Sequence, residues 1–142
     1  MNPIQVVIDT NVMVSGLRSD RGASFQLIRK LGSQNWEMNL STALVLEYEA
    51  ALKRDFARRG KSLDLVDDFL DYVVTVANRR RIFFRWRPGL PDPGDNFVLE
   101  LAVASCARYV VTFNTKDFEG VEAHGINAIR PIVFLRILEN LP

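Results

Sequence analysis

Short β-branched runs that stop abruptly at oxygen-bearing side chains constrain this chain most. Ile4-Gln5-Val6-Val7-Ile8 is followed at once by Asp9-Thr10-Asn11, a run that reads as a buried strand. Trp36 to Leu40, Tyr109-Val110-Val111-Thr112 and Ile126 to Ile129 read as further strands. The segments between them carry helical spacing. Phe25, Leu27, Ile28 and Leu31 outline a short helix that ends at Gly32, and Ser41 is placed to cap a helix running to about Arg59. The apolar stripe of that helix is Leu44, Tyr48, Ala51, Leu52 and Phe56. Ser62 caps the next helix, with Asp64 and Asp67 in the early turns, where the macrodipole favours anions. Its buried face is predicted to be Leu65, Phe69, Val73 and Ala77, with Val66 and Leu70 beside it. Asp92-Pro93 resembles a cap followed by proline at the first helical position. A helix to about Cys106 follows, with Val98, Leu101, Ala102 and Ser105 on one side, and Pro131 opens a closing helix through Leu138. Strands separated by helices argue for an α/β fold with a parallel sheet and helices on both faces.

At 142 residues and 48% apolar content, the chain is expected to form a single domain over residues 1–142, large enough to bury its own core. The loop-like stretch Arg85 to Gly94 leaves too few residues after it for a comfortable second domain. Eighteen basic against 17 acidic residues give a net charge of +1, which by itself predicts no nucleic-acid partner. The lone Cys106 forms no internal disulfide, which suits a reducing compartment. No apolar run reaches the roughly 18 residues of a membrane span, and Met1-Asn2-Pro3-Ile4 carries no leader pattern, so a cytoplasmic location without membrane association is expected. With His124 the only histidine, most zinc-hydrolase sites and Ser-His-Asp chemistry have little to work with. His124 reads as a loop residue and Cys106 as a core-facing thiol.

Carboxylates are the plentiful catalytic material, and their placement matters. Asp9 follows the first strand, while Asn114 and Asp117 follow the Tyr109 strand. Ligands of open parallel sheets bind beyond the carboxyl ends of the strands; ordinary turn chemistry is the alternative for each. Glu47 lies three residues after Leu44 and four before Ala51, beside the apolar stripe. A carboxylate there must be paired or bind a cation, and pairing with an arginine is the alternative. Glu49 points well away from that stripe and reads as solvated. Asp95 follows Asp92 by three residues and can either serve a site or complement the first-turn amides, as Asp92 does as a cap. Glu100 reads as a solvated helix position. Together Asp9, Glu47, Asp95 and Asn114/Asp117 come from four segments that can meet at one sheet edge. Clustered carboxylates repel one another unless they hold a cation, and an all-oxygen ligand set suits Mg²⁺ or Mn²⁺.

Here the ordered motifs resemble a family. Val6-Val7-Ile8-Asp9-Thr10-Asn11-Val12 looks like the opening block of PIN-domain ribonucleases, and Ser41 to Tyr48 resembles their second block. Asp92-Pro93-Gly94-Asp95-Asn96 through Leu101-Ala102 resembles the third, Val110 to Phe118 the fourth, and Ile129-Arg130-Pro131 the usual ending. The resemblance covers essentially the whole chain, and the subgroup it is most similar to is the toxin components of bacterial toxin–antitoxin pairs. It implies a three-layer α/β/α domain with a central parallel sheet. The implied activity is metal-dependent cleavage of single-stranded RNA, with a cognate antitoxin protein as partner. Carried over position by position, it implies Asp9, Glu47 and Asp95 as ligands of Mg²⁺ or Mn²⁺. Asn114 takes a fourth position where many members have Asp, and Asp117 is a nearby source of charge. Gly94 stands where relatives often carry an additional acid.

Asn11, Ser15 and Thr112, with Thr10, can orient carboxylates or touch phosphate; turn and strand-end hydrogen bonding is the alternative. Lys53, Arg54, Arg58, Arg59 and Lys61 form one basic stretch, and Arg79, Arg80, Arg81, Arg85 and Arg87 another, with Trp86 available for base stacking. Solvated helix ends are the plainer reading. Phe69, Tyr72 or Trp86 can serve an interface with a second copy, or simply complete the core. A non-catalytic RNA- or protein-binding module is the rival function, favoured by Asn114 and Gly94. A phosphohydrolase using Asp9 as nucleophile would want an acid two residues on, where Asn11 stands.

Overall fold

Between Ile8 and Thr10 the chain passes from a strand into a helix with only Asp9 between them. That junction is possible because Asp9 keeps an extended backbone (φ −67°, ψ 150°) while its side chain accepts from the Thr10 N–H, satisfying one of the free amides at the helix start. The computed structural model of the chain describes residues 2–81 and 93–141, with side chains described from Asn96 onward in the second stretch. The elements are β1 (Ile4–Ile8), α1 (Thr10–Arg18), α2 (Ala23–Arg29), β2 (Trp36–Leu40), α3 (Thr42–Arg58) and α4 (Asp64–Val76). They continue with β3 (Asn78–Arg79), α5 (Pro93–Ala104), β4 (Tyr109–Val111), β5 (Asn127–Ile129) and α6 (Pro131–Glu139). Two short 3₁₀ turns, Thr115–Phe118 and Val121–His124, separate β4 from β5.

The strands form one parallel sheet in the order β3-β2-β1-β4-β5, within a three-layer α/β/α architecture. The chain builds outward from β1 to β3, then returns to the other side of β1 for β4 and β5. Loops leaving β1 and β4 therefore diverge, opening a crevice at their carboxyl ends. The central strands carry the core: Val6, Val7, Ile8, Val110 and Val111 are completely buried, each contributing about 1.5–3 kcal/mol of transfer free energy. At the opposite end of the sheet, Phe134 of α6 packs edge-on against Trp36 of β2 and tilted against Tyr109 of β4, with centroids 5.4 and 5.7 Å away.

A polar ladder fixes the short edge strand. Asn39, fully buried, donates to Gln5 Oε1 (3.0 Å) and to the Val6 carbonyl (3.1 Å). Asn78 donates to Gln5 Oε1 and Glu37 Oε1 at 3.1 and 3.0 Å, and Arg80 Nε donates to Asn39 Oδ1 at 3.0 Å. Glu37 sits below the usual carboxylate range because Gln5, then Asn78, donate to it. β3 owes its place to these bonds, and no apolar run announces it in the sequence.

Several local expectations are corrected. After Ile8, where turn chemistry was one alternative, the chain enters the helix α1, which the sequence reading did not include. The buried face of α4 is Val66, Leu70 and Val73, and Leu65 is 53% exposed, so the stripe is turned by one residue from the expected one. Cys106 is exposed. It follows α5 with φ +53°, the left-handed position usual after a helix end, and that turn swings its side chain out of the core. Phe69 packs against the core, and Tyr72, 48% exposed, donates to the Leu31 carbonyl at 3.2 Å.

Gly16 allows α1 and α2 to touch. A Cβ there would lie 2.2 Å from Ile28 Cδ1 and 3.2 Å from the Ser24 carbonyl oxygen. Gly16→Ala should lower stability by about 1–3 kcal/mol through overpacking, read as a fall in urea midpoint at unchanged slope. Adding Ile28→Val should recover part of the loss; a Gly16→Ala midpoint equal to wild type would remove the close-packing account.

Candidate active site

Asp9 is nearly buried, 8% exposed, and both its oxygens are held. Oδ1 accepts from the Thr10 N–H (2.8 Å), and Oδ2 accepts from the Thr112 hydroxyl (2.7 Å). Its backbone N–H donates to the Val111 carbonyl at 2.9 Å. One residue at the end of β1 is thus bound to the end of β4. Thr112 Oγ1 in turn accepts from the Asn114 N–H at 3.0 Å, and Asn11 Oδ1 from the Phe113 N–H at 3.4 Å. The Thr10 hydroxyl donates to Glu47 Oε2 at 3.1 Å, so Thr10 touches both acids. Glu47 reaches this point because Ser41 caps α3, accepting from the Leu44 N–H at 3.2 Å, and the next residue, Tyr48, is anchored by donating to the Ile8 carbonyl. The Tyr48 phenol is pushed well above its usual range by burial first, then by the charges of Asp9 and Glu47. Both carboxylates therefore lie close to one buried ring.

A cleft of about 660 Å³ opens over these groups. Asp9, Asn11, Ser15, Glu47, Asn114 and Asp117 all line it, together with Thr10, Arg18 and Arg54. Thr112 stands behind it as the buried donor to Asp9. Asp117 follows Asn114 in a tight turn, its N–H donating to the Asn114 carbonyl at 3.0 Å. Among the described residues no three acids, histidines or cysteines gather closely enough to hold a metal, so Asp117 does not complete a trio with Asp9 and Glu47. Asp95 lies in the first turn of α5, but its side chain is outside the described residues, as are Gly94's surroundings and Asp92, Arg85, Trp86 and Arg87. In the first basic stretch, Lys53 pairs with Asp67 (3.0 Å) and Glu49 (3.4 Å), and Arg59 with Asp55 (2.8 Å). Arg54 alone of that stretch lines the cleft.

Two residues escaped the sequence reading, and a third is corrected. Arg18, at the end of α1, reaches the cleft while its guanidinium bonds Asp55, with Nε to Oδ1 at 3.2 Å. Asp55 is 6% exposed. The spacing Tyr48, Leu52, Asp55 on α3 is the signal that marks its burial. Glu100, expected to be solvated, is 7% exposed because α5 packs against β1, β2, β4 and α3.

The family model described as a PIN domain matches residues 5–116, and the chain belongs to the PIN-domain family. No curated protein sequence matches it. Among solved structures, the chain is similar in fold to a chain of VapBC2 from Rickettsia felis, bound to a DNA fragment from their promoter. The TM-score is 0.62 at 14% identity, over 88% of this chain and 97% of that one. No described helix is long and apolar enough to cross a membrane.

Burial works to raise the Asp55 carboxyl, but the Arg18 hydrogen bond and the charges of Arg59 and Arg18 outweigh it, leaving the group below its ordinary value. A depressed carboxyl stabilises the fold above its unfolded pKa, about 3.9, and that contribution is lost as pH falls through the folded value. Asp55→Asn should therefore cost about 1–3 kcal/mol at pH 7, since both arginines reach solvent and are not stranded. Urea melts at pH 7 and below pH 3 should show the difference from wild type shrinking in acid; a constant difference would remove the ionic account.

Proposed function

We propose that this chain is a divalent-metal-dependent endoribonuclease acting on single-stranded RNA, restrained in the cell by an antitoxin protein. The observation that carries the reading is the bridging of Asp9 and Glu47 by Thr10 at the floor of the cleft. Family membership supports it, since PIN domains are generally nucleases that use divalent metals. The resemblance to toxin components, with the fold likeness to a VapBC2 chain, supports the partner.

The donor set fits a hard cation. Asp9 and Glu47 offer only oxygen, each oriented by a hydroxyl or amide donor, and neither thiolate nor imidazole lines the cleft. Asp9, Glu47 and Asp95 would hold Mg²⁺ or Mn²⁺, with Asn114 or Asp117 adding an oxygen, directly or through water. The chemistry such an ion would supply there is activation of water and neutralisation of charge on phosphoryl oxygens. The chain's own groups do the rest. Thr112 and Thr10 fix the Asp9 carboxylate, Thr10 also orients Glu47, and Asn11 and Ser15 offer hydrogen bonds to phosphate. Arg18 and Arg54 supply positive charge for the RNA backbone. Arg18 is pre-oriented by Asp55 and so loses little freedom on binding.

A non-catalytic RNA- or protein-binding module is the second reading, favoured by the neutral Asn114 at the cleft wall. A homodimer is also compatible, with Tyr72 part of the exposed surface of α4.

Millimolar Mg²⁺ or Mn²⁺ should raise the melting temperature, because a ligand of the folded state alone stabilises it, and Asp9→Asn should diminish that rise. Purified protein should cut single-stranded RNA with metal and stop with chelator. Asp9→Asn should reduce cutting by several orders of magnitude, a loss of several kcal/mol of transition-state stabilisation. Asn114→Asp should tighten metal binding. A melt indifferent to metal, with no cleavage by either Asn114→Asp or wild type, would favour the binding module instead.

A further inference from the structure

A second cavity, of about 270 Å³, lies where the amino end of α3 faces α5. Its walls include Ser41, Thr42, Arg80, Arg81, Phe97 and Glu100. Three features make it a built site. Glu100 is 7% exposed, and its Oε1 is buried with no hydrogen-bond partner. Leaving a buried carboxylate oxygen unmet is costly, and Glu100 borders the cavity, the open space from which a donor would come. Arg80 is held at the opposite wall by Nε donating to the buried Asn39, so its charge is oriented before anything binds. Phe97 lies one helical turn before Glu100 on α5 and presents a half-buried ring beside it.

The ligand must therefore satisfy three demands at once: an anionic part for Arg80, Arg81 and the first-turn amides that the Ser41 cap leaves open on a 17-residue helix; N–H donors for a carboxylate; and a flat apolar face for an aromatic ring. A nucleotide meets all three. Among the bases, guanine suits a carboxylate best, since N1–H and the N2 amino group lie side by side as donors. Adenine and cytosine place an acceptor next to their single amino group, and uracil flanks its one N–H with two carbonyls. We propose that this cavity is a subsite for a guanine nucleotide, with Glu100 as the base-reading residue. As a subsite for RNA, it rests on the nuclease reading. Ser41, the cap of α3, precedes Glu47 by six residues, about 9 Å along the helix axis, equivalent to about two or three nucleotides at the 3.4 Å rise of a stacked strand. Glu100 would then select the base at a fixed short distance from the scissile phosphate.

The test uses the full chain with chelator present, titrated with 5′-GMP, 5′-AMP, 5′-CMP and 5′-UMP and followed by calorimetry. GMP should bind at least about tenfold more tightly than the others, in line with 1–3 kcal/mol for a good bidentate base contact. Glu100→Gln should erase that preference, and Arg81→Ala, an exposed change that spares the core, should weaken all four alike. Asp9→Asn should keep the GMP affinity. A second arm compares metal-supported cleavage of a uridine-only strand with the same strand carrying one guanine. Faster cleavage at a fixed distance from the guanine, lost in Glu100→Gln, assigns the site to the substrate strand; GMP binding without such a preference assigns it to a free nucleotide. Four nucleotides binding equally, or a folded Glu100→Gln with wild-type GMP preference, overturns the proposal. GMP binding by a protein that cuts no RNA would refute the nuclease reading alone.

Discussion

Both oxygens of Asp9 are engaged by neighbours from two different places, the amide of Thr10 ahead of it and the hydroxyl of Thr112 more than a hundred residues later. The rest of the site depends on this clamp. β1 and β4 pair in parallel, with Ile8 opposite Val111, so the residues that follow them emerge side by side. The Asp9 N–H continues that ladder by donating to Val111. The backbone of Asp9 is therefore fixed by sheet hydrogen bonding, and its carboxylate by the Thr10 amide and the Thr112 hydroxyl. Reversal of strand order at this pair keeps the connections from closing over it, and the cleft follows.

Charge explains how the remaining walls are arranged. Two carboxylates that share one threonine repel each other, and burial beside Tyr48 strengthens the repulsion. A divalent ion between them would offset that cost, which is why the proposed function places one there. Asp55 holds the guanidinium of Arg18 at the wall of the cleft, and Arg59 shares that carboxylate. Positive charge is thus held in the same cleft as the two acids.

Much of this was legible in the residues. Apolar runs that end in Asp9 and in Thr112-Phe113-Asn114 mark strands that deliver polar groups to one edge, and Glu47 beside the Leu44–Leu52 stripe marks an acid turned toward the sheet. Helix α1 was hidden because Asp9-Thr10-Asn11 also reads as turn chemistry, and only the cap geometry distinguishes the two. β3 was hidden because its two residues carry no hydrophobic period; Asn78 is held by Gln5 and Glu37, and Arg80 just beyond it by Asn39. The burial of Asp55 and Glu100 was missed for a related reason. A charged residue on a helix is read as solvated unless its neighbours at three and four positions are weighed, and here those neighbours are Leu52 and Phe97. The one-residue rotation of α4 shows the limit of a stripe whose flanking positions are apolar too: Val66 and Leu65 compete for one face, and packing against α3 decides it.

Diffraction from crystals soaked in Mn²⁺, recorded for anomalous scattering, addresses the central claim most directly. The account predicts a peak in the cleft at roughly 2.0–2.2 Å from an Asp9 carboxylate oxygen, with Glu47 and Asp95 as ligands directly or through water. A cleft without a peak at millimolar Mn²⁺, with Asp9 keeping its bonds to Thr10 and Thr112, would contradict it.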